Sequence, residues 1–248
     1  MKLNELKEKG LVIFENMFSK QDMESLNRTA STLPPTVGNV KDKGWHNWND
    51  VIKLGETANL LTEVDWAYHW AVTPKDNVII NETILPVITK ISDSVFESSE
   101  WDWQKTNRYI MSNYKHDMDV SPHLDAPYLW PQKLETQMAK YLEPGILSLT
   151  FMIPLIDFTV NNGATAYVLG THKYIWDTAD WNEAKPVHKT FFSDNYVQPS
   201  VPVGSFACFY GNCLHSVMPN YTDEIRRGII YRAIRQDALD EMERLGLG

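Results

Sequence analysis

The chain has 248 residues, 43% of them hydrophobic, which is enough to bury a sizeable core in one domain. A formal net charge of −9 and a pI near 5.2, with no Lys/Arg run longer than two, argue against a nucleic-acid surface, because phosphate binding needs clustered cations. No stretch approaches the ~18 apolar residues of a membrane span, and Met1 to Gly10 alternates charge without the apolar core of a signal peptide.

In chain order, residues 3–9 read as a short helix and Leu11–Phe14 as a strand. Ser19-Lys-Gln-Asp22 is a capping-box pattern that opens a helix to about Thr32, with Met23, Leu26 and Ala30 on one face. Pro34-Pro35 ends it. Residues 36–62 mix Gly, Lys and Asp with tryptophans and lack a period, the habit of a functional lid. Val64 to Val72 is expected to be a short helix, since Trp66 and Trp70 stand at i, i+4. Glu82 to Ser98 is the clearest helix, with Ile84, Ile88, Ile91 and Val95 at helical spacing.

From Trp103 the period changes to two. Strands are expected at 103–114, 146–153, 166–169, 187–192, 205–210 and 228–234, and a charged helix at Asp237–Leu245. The fold class is therefore mainly β with flanking helices, in one domain spanning 1–248. Residues 1–100 would be helical support and lid, 101–235 the β core and 236–248 the last helix. Cys208 and Cys213 are five apart, where a disulfide would close a tiny loop, so two free buried thiols in a reducing, cytoplasmic setting are expected.

Of seven histidines, only His123 has a carboxylate two positions on, in His123-Leu124-Asp125. Residues i and i+2 of a strand share a face, so both side chains reach the same interior. His215, just past the apolar run Phe206–Tyr210, can supply a second imidazole from a neighbouring strand. Two imidazoles and one carboxylate on one face of a metal leave open positions, the ligand set of non-heme Fe(II) oxygenases. Arg226, eleven residues after His215, adds a planar and permanently charged fork suited to the distal carboxylate of 2-oxoglutarate. Gly228 on the same strand face would leave room for a ligand. Alternation does not decide which face is interior, so Arg227 remains the runner-up.

These pieces resemble the phytanoyl-CoA dioxygenase superfamily of Fe(II)/2-oxoglutarate oxygenases. The likeness is carried by Ser121-Pro-His-Leu-Asp-Ala-Pro-Tyr128, by Asn161-Asn-Gly-Ala-Thr165 with Leu169-Gly-Thr-His-Lys173, and by His215-Ser-Val-Met-Pro-Asn220 leading to Arg226. It implies a double-stranded β-helix (jelly roll, cupin-like) core, with His123, Asp125 and His215 binding Fe(II). Arg226 would hold 2-oxoglutarate as cosubstrate, and O2 would be the oxidant. The chain departs from the family's frequent Pro-Gly-Ser-His by having Leu169-Gly170-Thr171-His172, which we read as turn-forming scaffold. Thr150 and Asn113 are further candidates for hydrogen bonds to the keto acid.

Relatives that halogenate carbon replace the metal carboxylate with a small residue. Asp125 is kept here, which favours hydroxylation of a small molecule with release of succinate and CO2. Tyr128 and Trp130 are candidate substrate-pocket walls, and Trp45, Trp48, Trp66 and Trp70 candidate lid residues. Arg232 would meet an acidic group of the substrate or make a structural ion pair. His116, beside Asp117 and Asp119, reads as a solvated loop. Two other readings stand beside the hydroxylase: a metal-binding jelly roll that does not use 2-oxoglutarate (an isomerase or another dioxygenase), and a non-enzymatic binding module. Substrate identity and oligomeric state are not encoded in any motif.

Overall fold

The computed structural model describes residues 2–33, 37–40, 66–72, 76–97, 100–117, 122–125, 146–173 and 186–244. Helix α1 (Lys2–Lys9) and strand β1 (Leu11–Phe14) precede helix α2 (Lys20–Thr32). The Ser19 hydroxyl caps α2 by accepting from Asp22 N at 3.0 Å, and the helix buries Met23, Leu26 and Ala30 as its period requires. After β2 (Val37–Val40) and β3 (Trp66–Val72), a π-helical turn (Ile80–Ile84) leads into helix α3 (Leu85–Phe96). The strands β4 (Trp101–Asn113), β5 (Ser148–Pro154), β6 (Ala166–Tyr167), β7 (Phe206–Tyr210), β8 (His215–Ser216) and β9 (Arg226–Arg235) follow. Helix α4 (Pro186–Asn195) lies between β6 and β7, and α5 (Gln236–Arg244) closes the order. No helix among the described residues is long and apolar enough to cross a membrane.

Seven strands form one antiparallel sheet in the order β1-β7-β5-β9-β4-β3-β2, and β6 pairs with β8 in a second. Isolated bridges extend that smaller layer, joining His123 to His215 and Tyr167 to Val197. The large sheet has two buried faces with opposite parity. Phe151, Ile153, Phe206, Cys208, Ile229 and Tyr231 point to the side covered by α2 and α3. Tyr109, Met111, Met152, Ala207, Phe209 and Ile230 point to the other, toward the small layer. Each fully buried side chain of this kind contributes roughly 1.5–3 kcal/mol by leaving water. A one-residue slip would exchange the two sets, so the register is firmly specified.

The cysteines are free and buried, with Cys208 on the first face and Cys213 on the second. Two sequence expectations are corrected. Residues 66–72 are a strand, paired through Tyr68↔Asn113 and Trp70↔Met111, and not a helix. A spacing of four is even, so it fits one face of a strand as well as one turn of a helix. Residues 187–192, expected as a strand, belong to α4. Pro186 suits its first helical position, and Phe192 stacks on Tyr196 at 5.3 Å, an i, i+4 pair. The first hundred residues also supply β1, β2 and β3, three of the seven strands of the main sheet, beyond helical support. Apart from Val37–Val40, the expected lid lies outside the described residues, as do Trp45, Trp48, Tyr128 and Trp130.

The Leu169–Lys173 stretch is a clasp for the N-terminus. Gly170 N donates to Lys9 O at 2.8 Å, and His172 Nε2 donates to Lys7 O at 3.1 Å. Tyr210 N donates to Gly10 O at 3.0 Å, fixing β1 against β7. Asn220 organises the return from β8 to β9: Nδ2 donates to Asn113 O at 3.0 Å and Glu224 O at 2.8 Å, while Oδ1 accepts from Thr222 N at 2.9 Å.

Candidate metal centre

Two backbone hydrogen bonds set the distance between the imidazoles. His123 N donates to His215 O at 2.9 Å and His215 N donates to His123 O at 3.1 Å, so the residues sit directly opposite. Their ring centroids are 4.4 Å apart. Asp125 is placed by its own N–H, which donates to Gly211 O at 2.7 Å. The possible ligand atoms of His123, Asp125 and His215 lie within 4.8 Å of one another, and His215 Nε2 is 3.7 Å from Asp125 Oδ1. A metal with bonds of about 2.0–2.2 Å needs adjacent ligands ~3 Å apart, so a small closing movement completes the set.

The protonation states suit a metal. A carbonyl can only accept, so the 2.9 Å contact from His215 Nδ1 to Cys213 O puts the proton on Nδ1 and the lone pair on Nε2. Burial lowers the His215 pKa to about 4, keeping the ring neutral. Burial alone would raise the Asp125 carboxyl. The neighbouring Arg232 guanidinium, the two histidines and the Thr150 hydrogen bond together outweigh it and bring the carboxyl to about 2. Arg232 is permanently charged, so its hold on the carboxylate does not fade with pH.

This predicts an acid limit for the metal-free protein. His215 takes up its proton more readily unfolded, near pH 6.5, than folded, near 4. The stability held by the neutral ring is present above pH 6.5 and falls as pH drops toward 4, by about 3 kcal/mol. Urea melts in chelator across that window should show the slope, and His215→Asn should flatten it.

Arg232 is buried and forms an ion pair with Asp125, donating from Nη2 to Oδ1. Of the two roles expected for it, the structural ion pair is the one observed. Thr150 donates its hydroxyl proton to Asp125 Oδ2 at 2.6 Å. That proton is therefore spent on the carboxylate, and the expected bond from Thr150 to a keto acid is not made from this geometry. Asn113 is fully buried opposite Arg226 in the β4–β9 register; its Nδ2 donates to Met218 O at 3.4 Å and its Oδ1 accepts from His116 Nε2 at 2.9 Å. His116, expected as solvated loop, is thus a buried prop beneath Asn113.

Arg226 is fully buried on the inner face, whereas Arg227 is partly exposed on the other. The guanidinium carbon of Arg226 lies 4.4 Å from the centre of the Phe158 ring. The space beside Gly228, expected to admit a ligand, is filled by that ring: a β-carbon at 228 would stand 2.5 Å from Phe158 Cζ. Gly228 therefore makes room for the shelf under Arg226.

Phe158, Tyr167, Phe209 and Tyr109 were missed by sequence reasoning. Tyr167 lies nearly parallel to His215, with centroids 6.2 Å apart, and Phe209 is 4.7 Å from it. Tyr109 is buried within electrostatic reach of Arg232 and Asp125, and burial raises its phenol pKa. The signal for Tyr109 was its parity with Met111 and Asn113 on β4. Phe158 lies in a short segment with no readable period, and Tyr167 lies in the expected 166–169 strand, whose pattern does not show that it faces His215.

Comparison with known proteins agrees with this geometry. The family model for phytanoyl-CoA dioxygenase matches residues 6–228. The dioxygenase trt7 of Aspergillus terreus (strain NIH 2624 / FGSC A1156) is 32% identical over 83 residues, covering 34% of this chain and 26% of that enzyme. HygX of Streptomyces hygroscopicus, solved with nickel and 2-oxoglutarate, superposes with a TM-score of 0.65 at 14% identity over 94% of this chain and 85% of its own. The non-heme alpha-ketoglutarate-dependent epimerase SnoN from nogalamycin biosynthesis gives 0.63 at 15% identity over 94% and 81%. The carbocyclase SnoK of the same biosynthesis gives 0.58 at 14% identity over 94% and 83%. At these identities the structures speak for a shared cupin-like fold.

Proposed function

Because the chain belongs to the phytanoyl-CoA dioxygenase family, we propose that it is an Fe(II)- and 2-oxoglutarate-dependent oxygenase acting on a small molecule. The observation that carries this reading is a His-Asp-His cluster, with Asp125 and His215 buried and His123 half-buried, facing the same interior as a fully buried arginine. His123, Asp125 and His215 would hold the iron, a three-residue ligand set that would leave room for the keto acid and O2. Arg226 takes the distal carboxylate of 2-oxoglutarate through its two-pronged fork, with Phe158 fixing the plane of the guanidinium. When bound, iron supplies the oxidising chemistry, and succinate and CO2 are the coproducts.

The protein's own part is positioning and exclusion of water. Tyr167 and Phe209 wall one side of His215, keeping its neutral form favoured. Hydroxylation is the finer reading, supported by the retained Asp125. The named activities of SnoN and SnoK, epimerisation and ring formation, keep a second outcome open on the same site: hydrogen abstraction without oxygen insertion. HygX with hygromycin B and SnoN with nogalamycin RO were solved with those molecules bound, which supports a small-molecule substrate here.

Anaerobic addition of Fe(II) and 2-oxoglutarate to the purified protein is expected to give a weak visible charge-transfer band, absent from His123→Ala. Iron binding without the band would move the assignment to a metal-binding jelly roll that does not use 2-oxoglutarate. With a substrate in hand, ¹⁸O2 labelling of the product separates hydroxylation from epimerisation or ring closure.

A further inference from the structure

The Asp125 carboxylate is gripped at both oxygens from two different strands. Thr150 of β5 donates to Oδ2 at 2.6 Å, and Arg232 of β9 donates from Nη2 to Oδ1. Thr150 and Arg232 are themselves direct partners in the β5–β9 register, and Arg232 Nε donates to Thr150 Oγ1 at 3.3 Å. The three side chains close a triangle inside the sheet. Arg232 is 5% exposed and Asp125 2% exposed, so the contact is made away from solvent. A surface ion pair contributes little, but a buried one that loses a partner leaves an uncompensated charge.

We propose that Arg232 is a positioning residue that fixes Asp125 as a one-oxygen metal ligand, an inference that rests on the iron-centre reading above. The carboxylate swings about its Cβ–Cγ bond only by breaking the bond to Thr150 or the one to Arg232. It therefore does not turn both oxygens toward a metal at once. Oδ1, 3.7 Å from His215 Nε2, is the oxygen on the ligand side. Holding the carboxylate to one oxygen keeps a coordination position that a two-oxygen ligand would fill. Arg232 acts through Asp125 and touches neither keto acid nor substrate.

The test is Co(II) binding to metal-free protein, followed by its visible d–d spectrum and by titration. Wild type must first bind Co(II); if it does not, the iron-centre reading fails before this inference is reached. Arg232→Met is expected to bind Co(II) about 10–100-fold more weakly, the range seen when a group that orients a ligand is lost, with an altered spectrum. Arg232→Lys keeps the charge without the planar fork that reaches Thr150 and Asp125 together, and should recover part of the affinity. Thr150→Val frees Oδ2 alone, so it should shift the spectrum in the same direction with a smaller loss. A folded Arg232→Met with unchanged spectrum and affinity overturns the proposal. So does tighter binding, which would make Arg232 a competitor of the metal. If Arg232→Met does not fold, an unchanged Thr150→Val overturns it equally.

Discussion

Truncating His215 to alanine is expected to remove iron from the protein while the sheet stays assembled. The loss in affinity should exceed the roughly 10–100-fold that follows from losing a group that merely orients a ligand. His215 supplies a neutral lone pair at Nε2, and no other imidazole among the described residues shares the cluster with His123 and Asp125. The fold survives because the pairing at this position is made by backbone atoms. The two hydrogen bonds between residues 123 and 215 do not involve either ring. What the truncation does cost is packing against Phe209 and Tyr167, on the order of 2–4 kcal/mol for a side chain buried this deeply. Iron content after anaerobic reconstitution, read beside a thermal melt, separates the two effects. A variant that retains full iron would remove His215 from the ligand set.

Replacing Arg226 with methionine is expected to raise the KM for 2-oxoglutarate about 100-fold and leave iron binding within a few-fold of wild type. A hydrogen bond to a charged group contributes about 1.5–3 kcal/mol, so losing a two-pronged contact reaches that range. Methionine keeps much of the volume over Phe158, which limits collapse of the shelf. Arg227→Met is the control: its side chain is partly exposed on the opposite face, and its KM should stay near wild type. Succinate release against 2-oxoglutarate concentration decides the matter. An unchanged KM in Arg226→Met would remove that arginine as the anchor of the keto acid.

Where one period dominated, the sequence was legible. The capping box at Ser19 and the α2 face of Met23, Leu26 and Ala30 allow a single packed arrangement, and the apolar runs of β5, β7 and β9 mark strands buried on both faces. His123, Asp125 and His215 were legible as a cluster because strand parity and the end of an apolar run together put them in reach. Trp66 and Trp70 were misread because a step of four satisfies both periods, and the deciding fact was a long-range partner, β4. The 187–192 segment failed for a related reason: two adjacent phenylalanines obscure the helical step from Phe192 to Tyr196.

The roles of Arg232, Thr150 and His116 were illegible for another cause. Each depends on which strand lies beside which, through the β5–β9 pairing for the first two and the Asn113–Asn220 corner for the third. Local sequence carries no record of such neighbours. Gly228 was singled out for the right reason, need of space, but its occupant is Phe158, seventy positions earlier in the chain.

The pairing of β1 with β7 imposes an order on synthesis. Leu11 lies opposite Phe209, so β1 leaves the ribosome nearly two hundred residues before its partner exists. At about 5–20 residues per second, that wait is on the order of 10–40 s. The edge of the sheet meanwhile stays open, and residue 215, with its share of the metal centre, has yet to be made. A ribosome-bound fragment ending before β7 thus has β1 without its hydrogen-bond partner and two of the three ligands. The proposed iron site therefore has its full ligand set only once residue 215 has been made.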